Sequence, residues 1–94
     1  MAPIGVLTLH LQINHSHSLK DKRQVLRSLK DRLRRHFNVS VAEIEFQEAW
    51  QRASIAVVTV AEQQSHVEET LDRVEREAAR LLGGDLISCE TEML

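Results

Sequence analysis

Leu7, Leu9, Leu11 and Ile13 stand at alternate positions with Thr8, His10 and Gln12 between them, so residues 4–13 carry the two-residue period of a strand with one buried face. Directly afterwards the period changes. Leu19, Leu26, Leu29, Leu33 and Phe37 recur at helical spacing and predict one apolar stripe over residues 18–36. Ser18 with Asp21 three residues on is a capping-box variant that marks the helix start, and Asn38 breaks the helix. A chain that switches period in so short a stretch must bury a sheet face against a helix stripe. The second half repeats the switch. Val39, Val41, Ile44 and Phe46 predict a strand whose alternation slips around Ala42, which places a bulge there. Residues 52–61 are apolar on both faces and predict a central strand. Ser65 with Glu68 predicts a second capping box, Val67, Leu71, Val74, Ala78 and Leu81 a second helix, and Gly83 with Gly84 its end. Residues 86–92 predict a closing strand.

The order strand, helix, strand, strand, helix, strand predicts an α+β, ferredoxin-like split β-α-β fold, with a four-stranded antiparallel sheet carrying two helices on one face. The first and third strands are expected at its centre, running parallel to each other. Ninety-four residues make one domain, residues 1–94. No apolar run approaches the roughly 20 residues of a membrane span, and the chain does not open with the basic-then-apolar layout of a signal peptide, so the cytoplasm is the expected compartment. In the third strand Ile55 and Val57 share one face while Ala56, Val58 and Val60 share the other. The face turned from the helices therefore keeps apolar surface, and a homodimer through it is expected.

Charge is unevenly placed. Residues 18–37 hold eight Lys and Arg against two Asp, a net +6, and the rest of the chain carries −8. At 100° per residue, Lys20, Arg23, Arg27, Lys30 and Arg34 line one water-facing flank of the first helix beside the leucine stripe, over about 21 Å. Arg32 and Arg35 widen this ridge, and Lys22 covers apolar surface with its stem. Such a ridge suits backbone phosphates of folded RNA, with Arg35 joining the five as a contact, and an acidic protein is the alternative partner. The bland alternative is a solvated face paired with Asp21, Asp31 or the second helix. The chain's three aromatics, Phe37, Phe46 and Trp50, do not form the strand-borne pair of an RNA-recognition motif. Trp50 and Arg52, between the second and third strands, read as a packing plug or as a partner contact.

Nothing points to catalysis. Ser16, Ser18 and Cys89 lack an elbow motif or an adjacent base, and glycine-rich phosphate loops are absent. Lone Cys89 forms neither an internal disulfide nor a zinc motif and reads as a strand residue. His15 and His17 form an H-x-H pair without the further ligand that zinc requires, so neither metal nor cofactor is expected. Glu43, Glu45 and Glu48 read as solvent-facing charges that protect an edge strand.

Three strings, S-H-S-L-K-D-K-R at residues 16–23, F-N-V-S-V-A-E at residues 37–43 and W-Q-R-A at residues 50–53, resemble the YlxP-like family of small bacterial proteins, a domain of unknown function. The resemblance spans the chain. It implies a ferredoxin-like fold and no established activity. Members are often encoded near translation initiation and ribosome maturation factors, so the resemblance adds weight to RNA or the ribosome as partner.

Overall fold

The opening alternation is realised as β1 (Ile4–Gln12), whose Leu7, Leu9 and Leu11 are buried while the residues between them are half-covered. The computed structural model describes residues 2–94. After β1 come α1 (Leu19–His36), β2 (Ser40–Glu45), β3 (Arg52–Val60), α2 (Gln64–Leu82), a 3₁₀ turn (Gly83–Asp85) and β4 (Leu86–Met93). The four strands form one sheet in the order β2-β3-β1-β4. Leu26, Leu29 and Leu33 of α1 and Val67, Leu71, Val74 and Ala78 of α2 share a single core with Leu7, Leu9, Leu11, Ile55 and Val57. Both helices therefore lie on the same face, and the fold is the ferredoxin-like arrangement expected from the order of elements.

One expectation about that topology is wrong. The central strands β1 and β3 pair antiparallel, with Leu7 opposite Val57 and Leu9 opposite Ile55. The reason is geometric. The α1 crossover brings β2 back parallel to β1 but leaves a gap between them, and the reversal over residues 46–51 sends β3 into that gap against both neighbours.

Local signals hold at α1 and fail at α2. The Ser18 hydroxyl accepts from the Asp21 N–H at 3.0 Å, and the Asp21 carboxylate reaches back to accept from the His17 N–H, one residue before the cap, at 3.0 Å. The Ser65 box does not form. Helix α2 begins two residues earlier, after an N-cap at Gln63 whose side chain makes no capping bond and whose carbonyl accepts from Val67 N–H at 3.3 Å. The bulge in β2 exists but falls later than Ala42: pairing with β3 shifts between Glu43 and Glu45. Phe46, expected within the strand, has left it with φ +64°. Gly83 ends α2 with φ +55°, as expected of a C-cap.

The outer sheet face carries Val6 opposite Val58 and Ile4 opposite Val60, with Val60 51% exposed. Glu90 and Glu92 of β4 flank this strip, opposite Thr8 and Val6. Among the described residues no helix is long and apolar enough to cross a membrane.

Helix α2 crosses β1 at Gly5, where a side chain has no room. A Cβ there would stand 2.6 Å from Val67 Cγ1 and 2.8 Å from Leu71 Cδ1, both inside the core. Gly5→Ala is thus an overpacking change. It should destabilise the fold by about 1–3 kcal/mol, read as a lower midpoint in chemical denaturation with the slope unchanged.

Candidate functional site

Lys22 departs most from its sequence reading. Its whole side chain is buried, with 1% of it exposed, and the ammonium donates to Glu43 Oε2 at 2.9 Å and to the carbonyls of Phe46 at 2.8 Å and Arg52 at 3.2 Å. A longer contact of 3.4 Å reaches the Gln47 carbonyl. The chain between β2 and β3 is therefore wrapped around a cation. Glu43, expected to face solvent, is only 17% exposed and points inward to meet it.

The ridge is present. Arg23, Arg27, Lys30 and Arg34 line a shallow groove with Leu26, Asp31 and Glu43 on the side of α1 that faces β2, and Lys20 continues the same flank by its helical spacing. Arg34 does more than face water, because its Nη2 donates to the Val41 carbonyl at 2.8 Å and clasps the edge strand. Arg32 does not widen the ridge. It lies on the opposite flank, where its Nε donates to Glu77 of α2 at 3.1 Å. Arg35 is exposed beside Arg32 and Asp31. Among the described residues, no ion pair reaches Lys20, Arg23, Arg27, Lys30, Arg34 or Arg35.

Trp50 is not a packing plug, since 56% of it is exposed. The segment that carries it is nonetheless fixed. Gln51 donates to the carbonyls of Asn14 and Ser16, each at 3.0 Å, and its own carbonyl accepts from Ile13 N–H at 2.7 Å. A groove beside Trp50 is lined by Gln12, Ser16, His17, Gln51 and Arg52. The Arg52 guanidinium sits 4.1 Å from the centroid of the Phe46 ring, a cation–π contact.

Helix α2 carries cations of its own. Arg73, Arg76 and Arg80 gather with His36 and Phe37 at the end of α1, Arg73 lying 5.6 Å over the Phe37 ring. Carboxylates temper this cluster. Arg76 pairs with Asp72, and Arg80 holds Glu77 through two hydrogen bonds at 2.7 and 2.9 Å. Hydrogen bonds from Arg80 and then Arg32 lower the Glu77 pKa from 4.5 to about 2.

The reactive groups are all committed elsewhere. Ser18 caps α1, and Ser16 is wholly buried and donates to the Ser18 carbonyl. Burial, followed by the charge of Glu75, pushes the Cys89 thiol up, away from its nucleophilic form. A Ser54–His10–Glu90 chain crosses the outer sheet face, with His10 Nδ1 2.9 Å from the Ser54 hydroxyl and Nε2 2.8 Å from Glu90. Sequence alone could not join residues from three strands. Ser54 is wholly buried, so this row laces β3, β1 and β4 together and offers no hydroxyl to a substrate. His15 and His17 diverge: His15 meets Asp85 at 3.1 Å, while His17 lines the Trp50 groove. Among the described residues no three His, Cys, Asp or Glu side chains converge as metal ligands.

The element order and sheet topology make this a ferredoxin-like domain. Residues 4–91 match the family described as protein of unknown function, DUF503, and the chain belongs to that family. The uncharacterized protein YlxP of Bacillus subtilis (strain 168) is 38% identical over 71 residues, which cover 76% of this chain and 77% of that protein. Among solved structures, the de novo designed protein Foldit4 is similar with a TM-score of 0.62 and 13% identity, covering 100% of this chain and 97% of that one. A designed protein with a ferredoxin fold, solved by solution NMR, gives 0.55 and 8%, covering 100% and 84%. At such identities the likeness to these two concerns the fold alone.

Three outcomes follow from the ion pairs. Lys22→Met keeps the buried stem but strands the Glu43 carboxylate and the Phe46 and Arg52 carbonyls, and should cost about 3–5 kcal/mol in urea unfolding. Glu43→Gln, which keeps an acceptor, should cost less. Because the folded pKa of Glu77 is depressed, its contribution is present above about pH 4.5 and is lost as pH falls towards about 2. Urea midpoints measured across that window should fall less steeply for Glu77→Gln than for the parent.

Proposed function

We propose that this protein is a non-enzymatic, cytoplasmic RNA-binding protein, associated with the ribosome, that holds backbone phosphates along the β2-facing flank of α1. The observation that carries the reading is the distribution of carboxylates. Glu43, Glu77 and Asp72 neutralise Lys22, Arg32, Arg80 and Arg76, and among the described residues Lys20, Arg23, Arg27 and Lys30 have no such partner. Like charges three and four residues apart on a helix repel by a few tenths of a kcal/mol per pair. A row of phosphates supplies the missing countercharge. The outer sheet face has no Phe, Tyr or Trp on β1 or β3, and His10 there is held between Ser54 and Glu90, so stacking of bases across the sheet has no platform. A second copy of the chain over that face, against Val6, Val58 and Val60, is compatible with it, because the ridge lies on the helix side.

RNA binding titrated against salt tests the reading. With four to five phosphates neutralised and a coefficient of about 0.7 each, log affinity should fall with log salt at a slope of about −3. The triple variant Arg23→Glu, Arg27→Glu, Lys30→Glu should lose RNA association while its stability stays within about 0.5 kcal/mol of the parent. Arg34 is left intact in that variant because it holds the Val41 carbonyl. A slope near zero, or unchanged affinity in the triple variant, would favour the acidic protein partner. Sedimentation of the same samples at tens of micromolar reads the mass, and a monomer excludes the second copy.

A further inference from the structure

Trp50 is the only tryptophan in the chain and the most exposed aromatic in the fold, yet the segment bearing it is held by hydrogen bonds at both ends and beside the ring. The buried Lys22 ammonium holds the carbonyls of Phe46 and Arg52 at either end of it. Ala49 N–H donates to the same Phe46 carbonyl at 3.0 Å, which closes a turn over Gln47 and Glu48 directly after the left-handed Phe46. Gln51 ties the segment to the turn before α1 on both sides of its own peptide. A large flat ring held still in water is a contact surface with little ordering entropy left to lose.

Its surroundings select the partner. The groove beside the ring is lined by neutral polar groups, His17 and Arg52, with no carboxylate among them. His17 immediately precedes the cap of α1, and Lys20 and Arg23 follow in the first turns of the ridge. Because His17 lines the groove beside Trp50 and directly precedes the cap of α1, a nucleic acid whose phosphates follow the ridge to its first turn would reach Trp50 with a base. Every base offers a π-face, so stacking on one tryptophan is tolerant of sequence but requires a base that is not already stacked within a duplex.

We infer that Trp50 is a stacking platform for an unpaired base, so that the ligand is an RNA in which a paired segment borders a bulge, loop or single-stranded end. The inference rests on the RNA reading above and adds to it which RNA is preferred. The full chain is titrated with two RNAs of equal length, a blunt duplex and the same duplex carrying a single-nucleotide bulge. Binding is read by anisotropy of labelled RNA, and Trp50 emission reports stacking with no other indole present. The bulged RNA should quench Trp50 and bind about tenfold tighter than the duplex. Trp50→Ala should erase that difference while leaving duplex affinity unchanged, and Trp50→Phe should retain part of it. Because the side chain is exposed, both variants should melt with the parent. Equal affinity for the two RNAs with unchanged emission overturns the platform and leaves the ridge standing. No binding of either RNA overturns both, and quenching by poly-glutamate in place of RNA assigns Trp50 to a protein partner.

Discussion

An ammonium group taken out of water costs several kcal/mol unless nearly every proton finds an acceptor, and Lys22 meets that condition in a way that organises half the fold. Its acceptors come from β2 through Glu43, from the connection through Phe46 and from β3 through Arg52. Within the connection only the Ala49 N–H reaches one of these carbonyls, that of Phe46, and Lys22 supplies the remaining donors among the described residues. Phe46 has already turned into the left-handed region, which is unfavourable for a side chain of that size and persists only where the surroundings hold it. The cation thus replaces the hydrogen bonds that a tighter hairpin would have made. Arg34 clasps β2 at Val41, and Thr59 holds the Asn38 carbonyl just before that strand. Edge strand β2 is therefore secured to α1 and β3 as much by side chains as by its own ladder.

The same bookkeeping of charge explains why a basic surface survives on a protein whose net charge is −2. Helix α1 has three flanks in electrostatic terms. One is the core, which admits a single cation because Glu43 enters with it. One faces α2, where Glu77 lies between Arg32 and Arg80 and stays ionised because two guanidinium groups hold it so. The third faces β2, whose only inward carboxylate is already bound to Lys22. Asp31 shares that groove but makes no ion pair within it. Burying Lys22 therefore commits Glu43, one of the two carboxylates lining the ridge's groove, to a cation outside the ridge.

Much of this was legible from period alone. The alternation of residues 7–13 and the stripe through Leu26, Leu29 and Leu33 are local, and each maps onto one element because burial of a face is decided by spacing. Lys22 was legible in hindsight as well. It occupies the stripe position four residues before Leu26, and Glu43 lies two residues beyond the buried Val41, so both charges stand where their elements face inward. Reading each as a surface residue followed the general rule for charges and overlooked its exception, a buried pair. The sense of the β1–β3 pairing was contained in the element order, because a crossover followed by a reversal makes adjacent central strands antiparallel, and the expectation of parallel strands contradicted the antiparallel sheet predicted beside it. The Ser54–His10–Glu90 row could not be read locally, because its members are brought together only by strand register.

Rigidity links the buried and the exposed parts of this molecule. The ridge sits on a helix and Trp50 on a pinned connection, so neither has much freedom to surrender when a partner arrives, and adaptation falls to the partner. A folded RNA with a displaced base can make that adjustment at modest cost, since an unpaired nucleotide is already free of its stack. The outer sheet face lies across the sheet from the helices, so a second copy packed there would leave both ridges open. Two ridges on one particle convert the second contact into an intramolecular one, and weak phosphate contacts on each helix could then sum to firm attachment without any further specific bond.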